Sequence, residues 1–559
     1  MCRFVAVWTL LAACVGGAQP IGAQPSWRTG AAAEPAAASV SPARAQGPVT
    51  FAPAGEPAAR YNEPRRAPPR TPLGDAVIAA IRSTAAQAGL APPDPDARLF
   101  RACADLAEIA SMDGVVNYSL IEFALQRHGI IEPTPRLLVL WNSIDATDSI
   151  VAQMQPRFVE MLGASPAARF GVGAARRGAD GTGAIVFALQ ESGVSTQPIP
   201  RSVAVGGTIA IDGVLDPRYR DPEVIVTHED GRTQQIELKA GRAGGFTSQV
   251  PCDERRGRQQ IEIGASDAAG PTVLANFPVW CAASPPASIT VDAARDETPP
   301  PTEQAAERGL FAKLNRDRVA AGLAALVWDD RLAEVARAHS QEMRRTHVVA
   351  HVSPSTGSVA DRVRAAHIKT PLVLENLARA YGIDEAHTAL MNSPGHRANL
   401  MASAATHGGI GIAFGDETSG RHEMFVTQLF MRVQPKLDPA TATAAVRKKL
   451  AAERAVVFAP VLQGLAQTFA SELAAGRSRD QAYAQIKEPV NRLGKTYQRV
   501  GQVIAVVGDL DAIDSAGLLT GTTGDELGLG IAQGPHAELG DNAIWIVVLA
   551  AERRAPRAP

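Results

Sequence analysis

Histidine is the side chain best suited to binding a metal or moving a proton near neutral pH, and this chain distributes it unevenly. Eight of its 11 histidines fall in one stretch: His339, His347, His351, His367, His387, His396, His407 and His422. His128, His228 and His536 stand apart. If only one segment carries a polar or metal site, it is expected in that stretch. Local spacing alone does not build one. His422-Glu423 lacks the second His of a His-Glu-x-x-His helix. His347 and His351 have the i, i+4 spacing of a helical chelate, but His351 is expected to have left the helix. Other chemistries fail on their motifs. Gly494-Lys495-Thr496 resembles the end of a phosphate loop, yet Pro489 stands where the first Gly is needed. Gly171-Val172-Gly173 and Gly409-Ile410-Gly411 do not extend to a dinucleotide fingerprint, and there is no Gly-x-Ser-x-Gly elbow.

The elements that must position these residues recur. Leu332, Val335, Ala336 and Met343 match Leu462, Leu465, Ala466 and Leu473 at helical spacing, and Leu99, Ala102, Cys103 and Leu106 stand in similar phase. Downstream of each helix a Gly-x-Gly opens an alternating strand: Gly171-Val172-Gly173, Gly409-Ile410-Gly411 and Gly528-Leu529-Gly530. A second apolar strand follows each, over residues 184–189, 424–430 and 543–549. Helix and hairpin in the same order three times predict divergent repeats of one fold. Residues 200–281 read differently, as short strands at 208–211, 223–226 and 260–263 separated by turns such as Asp230-Gly231. They predict a small immunoglobulin-like β-sandwich with a spacing or adhesion role and no visible site.

In the middle repeat the motifs become specific. They are Leu314-Asn315-Arg316-Asp317-Arg318 with Leu326-Val327-Trp328-Asp329, Ala336 to Met343, His351-Val352-Ser353-Pro354, Glu375-Asn376-Leu377-Ala378, Asn392-Ser393-Pro394-Gly395-His396-Arg397-Ala398-Asn399-Leu400, and Thr427-Gln428. In this order the segment resembles a bacterial CAP domain, of the cysteine-rich secretory and pathogenesis-related superfamily. The resemblance implies a three-layer α-β-α sandwich with a cleft where two His and two acids converge and where zinc or another divalent metal can bind. Carried over by motif, His351 and His396 are the imidazoles and metal ligands, and Glu375 is one acid with Asn376 beside it. Ser393 stands in the place of the second acid, so the tetrad is expected to be incomplete. The flanking repeats lack these motifs, and Phe469 occupies the position of His339.

A chain of 559 residues is too long for one core. Its net charge of −2 argues against nucleic acid as a partner. Residues 1–23 read as an export signal, with Arg3 before an apolar run too short to span a bilayer. Either Cys14 is lipidated or ordinary cleavage follows the small residues after it, so membrane contact is expected only through that anchor. Export permits disulfides; Cys252 and Cys281, in one β-rich segment, are expected to pair, and Cys103 to be a buried thiol.

The expected fold class is α+β. Residues 24–75 form a flexible tether, 76–195 a divergent CAP-like unit, 196–284 the β-sandwich and 285–302 a linker. The CAP domain takes residues 303–433 and a second divergent unit residues 440–553. The expected function is an exported, non-catalytic binding module for a lipid, peptide, glycan or divalent metal. The alternatives are a metal-dependent hydrolase built on the His/Glu cleft and a structural envelope scaffold.

Overall fold

The computed structural model describes residues 48–63, 66–112, 116–163, 169–252, 256–292, 300–418, 421–510, 512–520, 522 and 524–554. The signal segment 1–23, with Cys14, lies outside them. Among the described residues no helix is long and apolar enough to cross a membrane.

Three mixed sheets share one strand order. In each, a two-residue edge strand runs parallel to a long strand, which pairs antiparallel with a second, which pairs antiparallel with a third. The middle sheet runs Val327–Trp328, His407–Thr418, Arg421–Met431, Val373–Ala380. The first runs Asp94–Pro95, Arg169–Arg176, Thr182–Gln190, Arg136–Ser143, and the last Val457–Phe458, Glu526–His536, Gly540–Arg553, Tyr497–Val507. Each central strand is apolar on both faces because helices cover both. In the middle unit Ile410, Ile412, Val426 and Phe430 pack with Leu310 and Leu314 of helix Glu303–Ala320. On the opposite face Leu429 and Met431 pack with Leu332 and Ala336 of helix Asp330–Thr346. Sheets buried on both sides read as near-continuous apolar runs, as residues 184–189 and 543–549 do; the alternation of the Gly-x-Gly strands comes from their glycines.

The recurring Gly-x-Gly has a steric cause. A Cβ on Gly409 would lie 2.3 Å from the backbone N of Ala333, and one on Gly411 2.0 Å from that of Arg337. Gly171 and Gly173 meet the backbone at Leu99 and Ala104, and Gly528 and Gly530 that at Leu462 and Ala466. Each pair accepts two successive turns of the helix that follows the edge strand, at backbone contact.

Residues 194–281 form two sheets around one core. One contains Thr208–Leu215 and Gly245–Pro251; the other contains Arg220–Thr227, Gly257–Asp267 and Gly270–Cys281. Ile209, Ile211, Val224, Val226, Ile261, Ile263 and Phe277 fill the space between them. Thr208–Leu215 alternates strictly between exposed and buried, as a strand with one solvated face does. Cys252 and Cys281 are disulfide-bonded, with Cα atoms 5.5 Å apart, and Cys103 is a buried free thiol.

The expectation of a flexible tether over residues 24–75 fails from Pro48 onward. Pro48–Phe51 pairs antiparallel with Ile289–Asp292, which itself lies in the expected linker, and Arg60–Tyr61 pairs with Ile199–Pro200. Phe51 packs edge-on against Phe123 at 6.1 Å. Tyr61 is fully buried and donates its hydroxyl proton to the Pro278 carbonyl at 2.7 Å. Counting apolar residues missed that two well-placed aromatics and a few backbone pairings suffice to hold a segment against a preformed surface. The first unit also begins earlier than residue 76, because Thr71 caps helix Pro72–Gln87.

Candidate functional site

Helix Asp330–Thr346 ends at His347, which adopts the left-handed conformation at φ 55° and turns the chain out of the helix. His351 therefore sits on a loop, where His339 fixes its entry by bonding the Ala350 carbonyl through Nε2 at 2.9 Å. Glu375 lies on strand Val373–Ala380. Its Oε2 is 2.8 Å from His351 Nδ1, and its Oε1 accepts from Arg362 Nη2 on helix Val359–Ala365. Arg362 Nη1 also donates to the carbonyls of His351 at 3.2 Å and Gly357 at 2.7 Å. One buried guanidinium thus ties the His351 loop to the carboxylate. Both oxygens of Glu375 are in use.

Asn376 is fully buried and joins the sheet to helix Pro394–Leu400. Its Nδ2 donates to the His396 carbonyl at 3.1 Å, and its Oδ1 accepts from Asn399 at 2.9 Å. Asn399 donates as well to the Glu375 carbonyl at 3.1 Å. His396 is held by this frame, and its Nδ1 lies 2.6 Å from Ser393 Oγ. The structure thus gathers His351, Glu375, Asn376, Ser393 and His396 into one bonded cluster. Neither imidazole Nε2 has a hydrogen-bond partner among the described residues. Other histidines of the stretch are engaged elsewhere: His387 with Asp317 at 2.7 Å, His407 with Thr406 at 2.9 Å, and His422 stacked on Phe414 at 4.7 Å.

The sequence reading missed Arg362 and a carboxylate. Glu262, on strand Gly257–Asp267 of the β-sandwich, accepts from Ser393 Oγ through Oε2 and from Gly395 N through Oε1 at 3.1 Å. A carboxylate therefore does approach the position of the missing second acid. It comes from the segment read as having no site. The strand alternates Gln260, Ile261, Glu262, Ile263, which predicts a solvated glutamate, yet Glu262 is only 3% exposed because this face packs against the next domain. No pattern local to either segment announces that contact.

Burial shifts both partners of Ser393. It depresses His396 from 6.5 to about 4, with the charge of nearby His351 adding to the effect. It pushes Glu262 up from 4.5 to about 7; Ser393 and Gly395 oppose this and Glu223 adds to it. The stability consequences have opposite signs. The unfolded chain protonates His396 near 6.5 and the folded one near 4, so that histidine destabilises the fold as pH drops through this interval. Folded Glu262 takes its proton near 7 and the unfolded residue near 4.5, so that carboxyl stabilises the fold as pH drops through its own interval. Glu262→Gln removes only the second effect. Its stability relative to the wild type, from urea midpoints, is expected to be highest at pH 8 and to fall steadily towards pH 4.5. A difference independent of pH would show that the carboxyl is solvated.

The cysteine-rich secretory protein family, CAP, matches residues 311–430. The uncharacterized membrane protein YlbC of Bacillus subtilis is 37% identical over 126 residues, 22% of this chain and 36% of that protein. The uncharacterized protein YkwD of the same organism is 34% identical over 113 residues, 20% of this chain and 44% of that protein. The chain thus spans less than half the length of either relative. An extracellular SCP-domain protein from Bacillus anthracis is similar in structure at 18% identity, covering 43% of this chain and 86% of its own, with a TM-score of 0.22. Motif order, sheet and family match coincide on one stretch, and residues 311–430 are a CAP domain.

Proposed function

We propose that this chain is an exported binding protein whose CAP cleft takes a divalent cation, zinc first, on Nε2 of His351 and His396. The observation that carries this reading is the engagement of both rings at Nδ1, by Glu375 and by Ser393, with neither Nε2 bonded to a described residue. A histidine bonded at one nitrogen to a carboxylate or its relay presents the other as an oriented, basic ligand, and imidazole nitrogen suits zinc. Among the described residues no three His, Cys, Asp or Glu side chains are placed to hold a metal. The protein would therefore supply two ligands, leaving the remaining positions to water or to an oxygen donor on an extracellular peptide, glycan or lipid head group.

Binding is favoured over hydrolysis because neither carboxylate is free to serve as a base. Glu375 is held by His351 and Arg362, and Glu262 by Ser393 and Gly395. Bound metal would supply Lewis acidity. His351 and His396 would hold it, and Arg362 and Asn376 would keep the loop and helix that carry them in register. The hydrolase is the second reading; what favours it is that a second carboxylate, although engaged, stands beside Ser393.

The first and last units are read as diverged copies without a site, on their shared strand order and their glycine–helix contacts. Both contact the middle domain: Asn392 donates to Glu122 of the first unit at 3.3 Å, and Arg432 pairs with Asp509 of the last. Location at the envelope rests on the signal-like N-terminus and on the word membrane in the name of one relative.

The test is zinc titration of the full chain by calorimetry beside the His351→Ala, His396→Ala double variant, with folding followed by circular dichroism. One site in the wild type that vanishes in the folded variant is the expected result. No binding heat in the wild type across several buffers, with no shift in melting temperature, would sink the cation reading and leave lipid, peptide, glycan or scaffold roles.

A further inference from the structure

Helix Pro394–Leu400 starts without a side-chain cap of its own. Ser393 occupies the N-cap position, but its hydroxyl does not reach the first N–H groups, which need acceptors. Glu262 serves one of them, Gly395 N, with Oε1 and receives the Ser393 proton on Oε2. A serine hydroxyl has one proton to give. With Glu262 ionised and that proton directed to it, Ser393 Oγ can only accept from His396 Nδ1. The ring proton must then sit on Nδ1, and the lone pair on Nε2.

We infer that Glu262, although part of the β-sandwich, is a positioning residue of the CAP cleft: through Ser393 it fixes the Nδ1–H tautomer of His396, so the binding site is assembled from two domains. It does for His396 what Glu375 does directly for His351. The interface around it meets the cleft at several points. Val352 N donates to the Ala269 carbonyl at 2.9 Å, Asn276 Nδ2 to the Asn392 carbonyl at 3.2 Å, and Arg397 Nε to the Gly231 carbonyl at 3.2 Å. At Gly270 an added Cβ would stand 2.9 Å from Cβ of His351, so the β-sandwich backbone lies directly on the His351 loop. The expected effect on cation binding rests on the function proposed above; the tautomer does not.

Glu262→Gln reverses the chain while keeping its shape. Gly395 N–H retains the carbonyl oxygen of the amide, which turns the NH₂ towards Ser393. The serine oxygen then accepts and gives its own proton to His396 Nδ1, leaving Nε2 protonated. Full-length protein labelled with ¹⁵N at histidine reads this directly at pH 8, with His396 assigned by the loss of its signals in His396→Gln. The expected result is Nδ1–H in the wild type, Nε2–H in Glu262→Gln, and zinc affinity about 10–100-fold weaker in the variant. Adding Ser393→Asp to Glu262→Gln puts a carboxylate in direct reach of Nδ1 and is expected to restore Nδ1–H. Ser393→Ala cuts the same link without touching the interface carboxylate, and should return the ring to the Nε2–H form preferred by free imidazole. Nε2–H in the wild type, or Nδ1–H persisting in both Glu262→Gln and Ser393→Ala, overturns the inference. A tautomer switch without zinc binding would defeat the cation reading alone, whereas zinc binding with a tautomer indifferent to Glu262 would defeat this one alone.

Discussion

Glu375→Ala is expected to cost about 3–5 kcal/mol of stability, the range for removing one partner of a buried ion pair. The Glu375 side chain is 2% exposed and that of Arg362 is 5%. Deleting the carboxylate strands the guanidinium out of water. Arg362 Nη1 would keep the His351 and Gly357 carbonyls, but its Nε already has no partner. The same change frees His351 Nδ1, so the loop should loosen with the fold. Urea denaturation measures the loss. Pairing Glu375→Leu with Arg362→Met should recover much of it, because replacing a buried ion pair by packed apolar side chains is often neutral. A cost below about 1 kcal/mol for the single change would place the pair in the class of solvated surface bridges.

Gly411→Ala is the second large effect, about 3 kcal/mol at the upper end of the overpacking range. The added Cβ would stand 2.0 Å from Arg337 N and 2.2 Å from Ala336 C, both backbone atoms of a helix that cannot yield locally. Helix Asp330–Thr346 must lift from the sheet, which opens the layer where Leu332 and Ala336 meet Leu429. Gly530→Ala and Gly173→Ala should behave alike, since their Cβ atoms would also land within 2.1 Å of helix backbone. Gly464 provides the control. It lies inside helix Pro460–Ala474 with nothing within 4 Å of its would-be Cβ, so Gly464→Ala should raise stability by about 0.5–1 kcal/mol. Equal melting temperatures for Gly411→Ala and the wild type would show that the helix–sheet contact has slack.

The middle domain was legible because its signals are local. The spacing of Leu332, Val335, Ala336 and Met343 marks one helix face, and His351, Glu375, Asn376, Ser393 and His396 each sit inside a short motif that the family match spans. The glycine pairs were visible as a repeat, although their cause, contact between strand and helix backbone, was not. Two things stayed hidden because they depend on distant chain segments. Phe51 and Tyr61 look like isolated aromatics in a Pro- and Ala-rich stretch until the surfaces that bury them exist. Glu262 looks like the polar half of an ordinary alternation; its meeting with Ser393, 131 residues away, follows from how two domains dock.

That distance bears on how the protein can be dissected. A fragment cut at the limits of the family match, residues 311–430, keeps every motif of the cleft and loses Glu262. It also exposes the end of helix Pro394–Leu400 that Glu262 caps and the loop surface that Gly270 covers. Measurements on such a fragment would describe an altered His396, and a negative result would not transfer to the whole chain. For the same reason, positions 262 and 393 are expected to change together among descendants of this architecture, and a recombination event that separates the two domains would leave a serine in the cleft with no carboxylate to answer it.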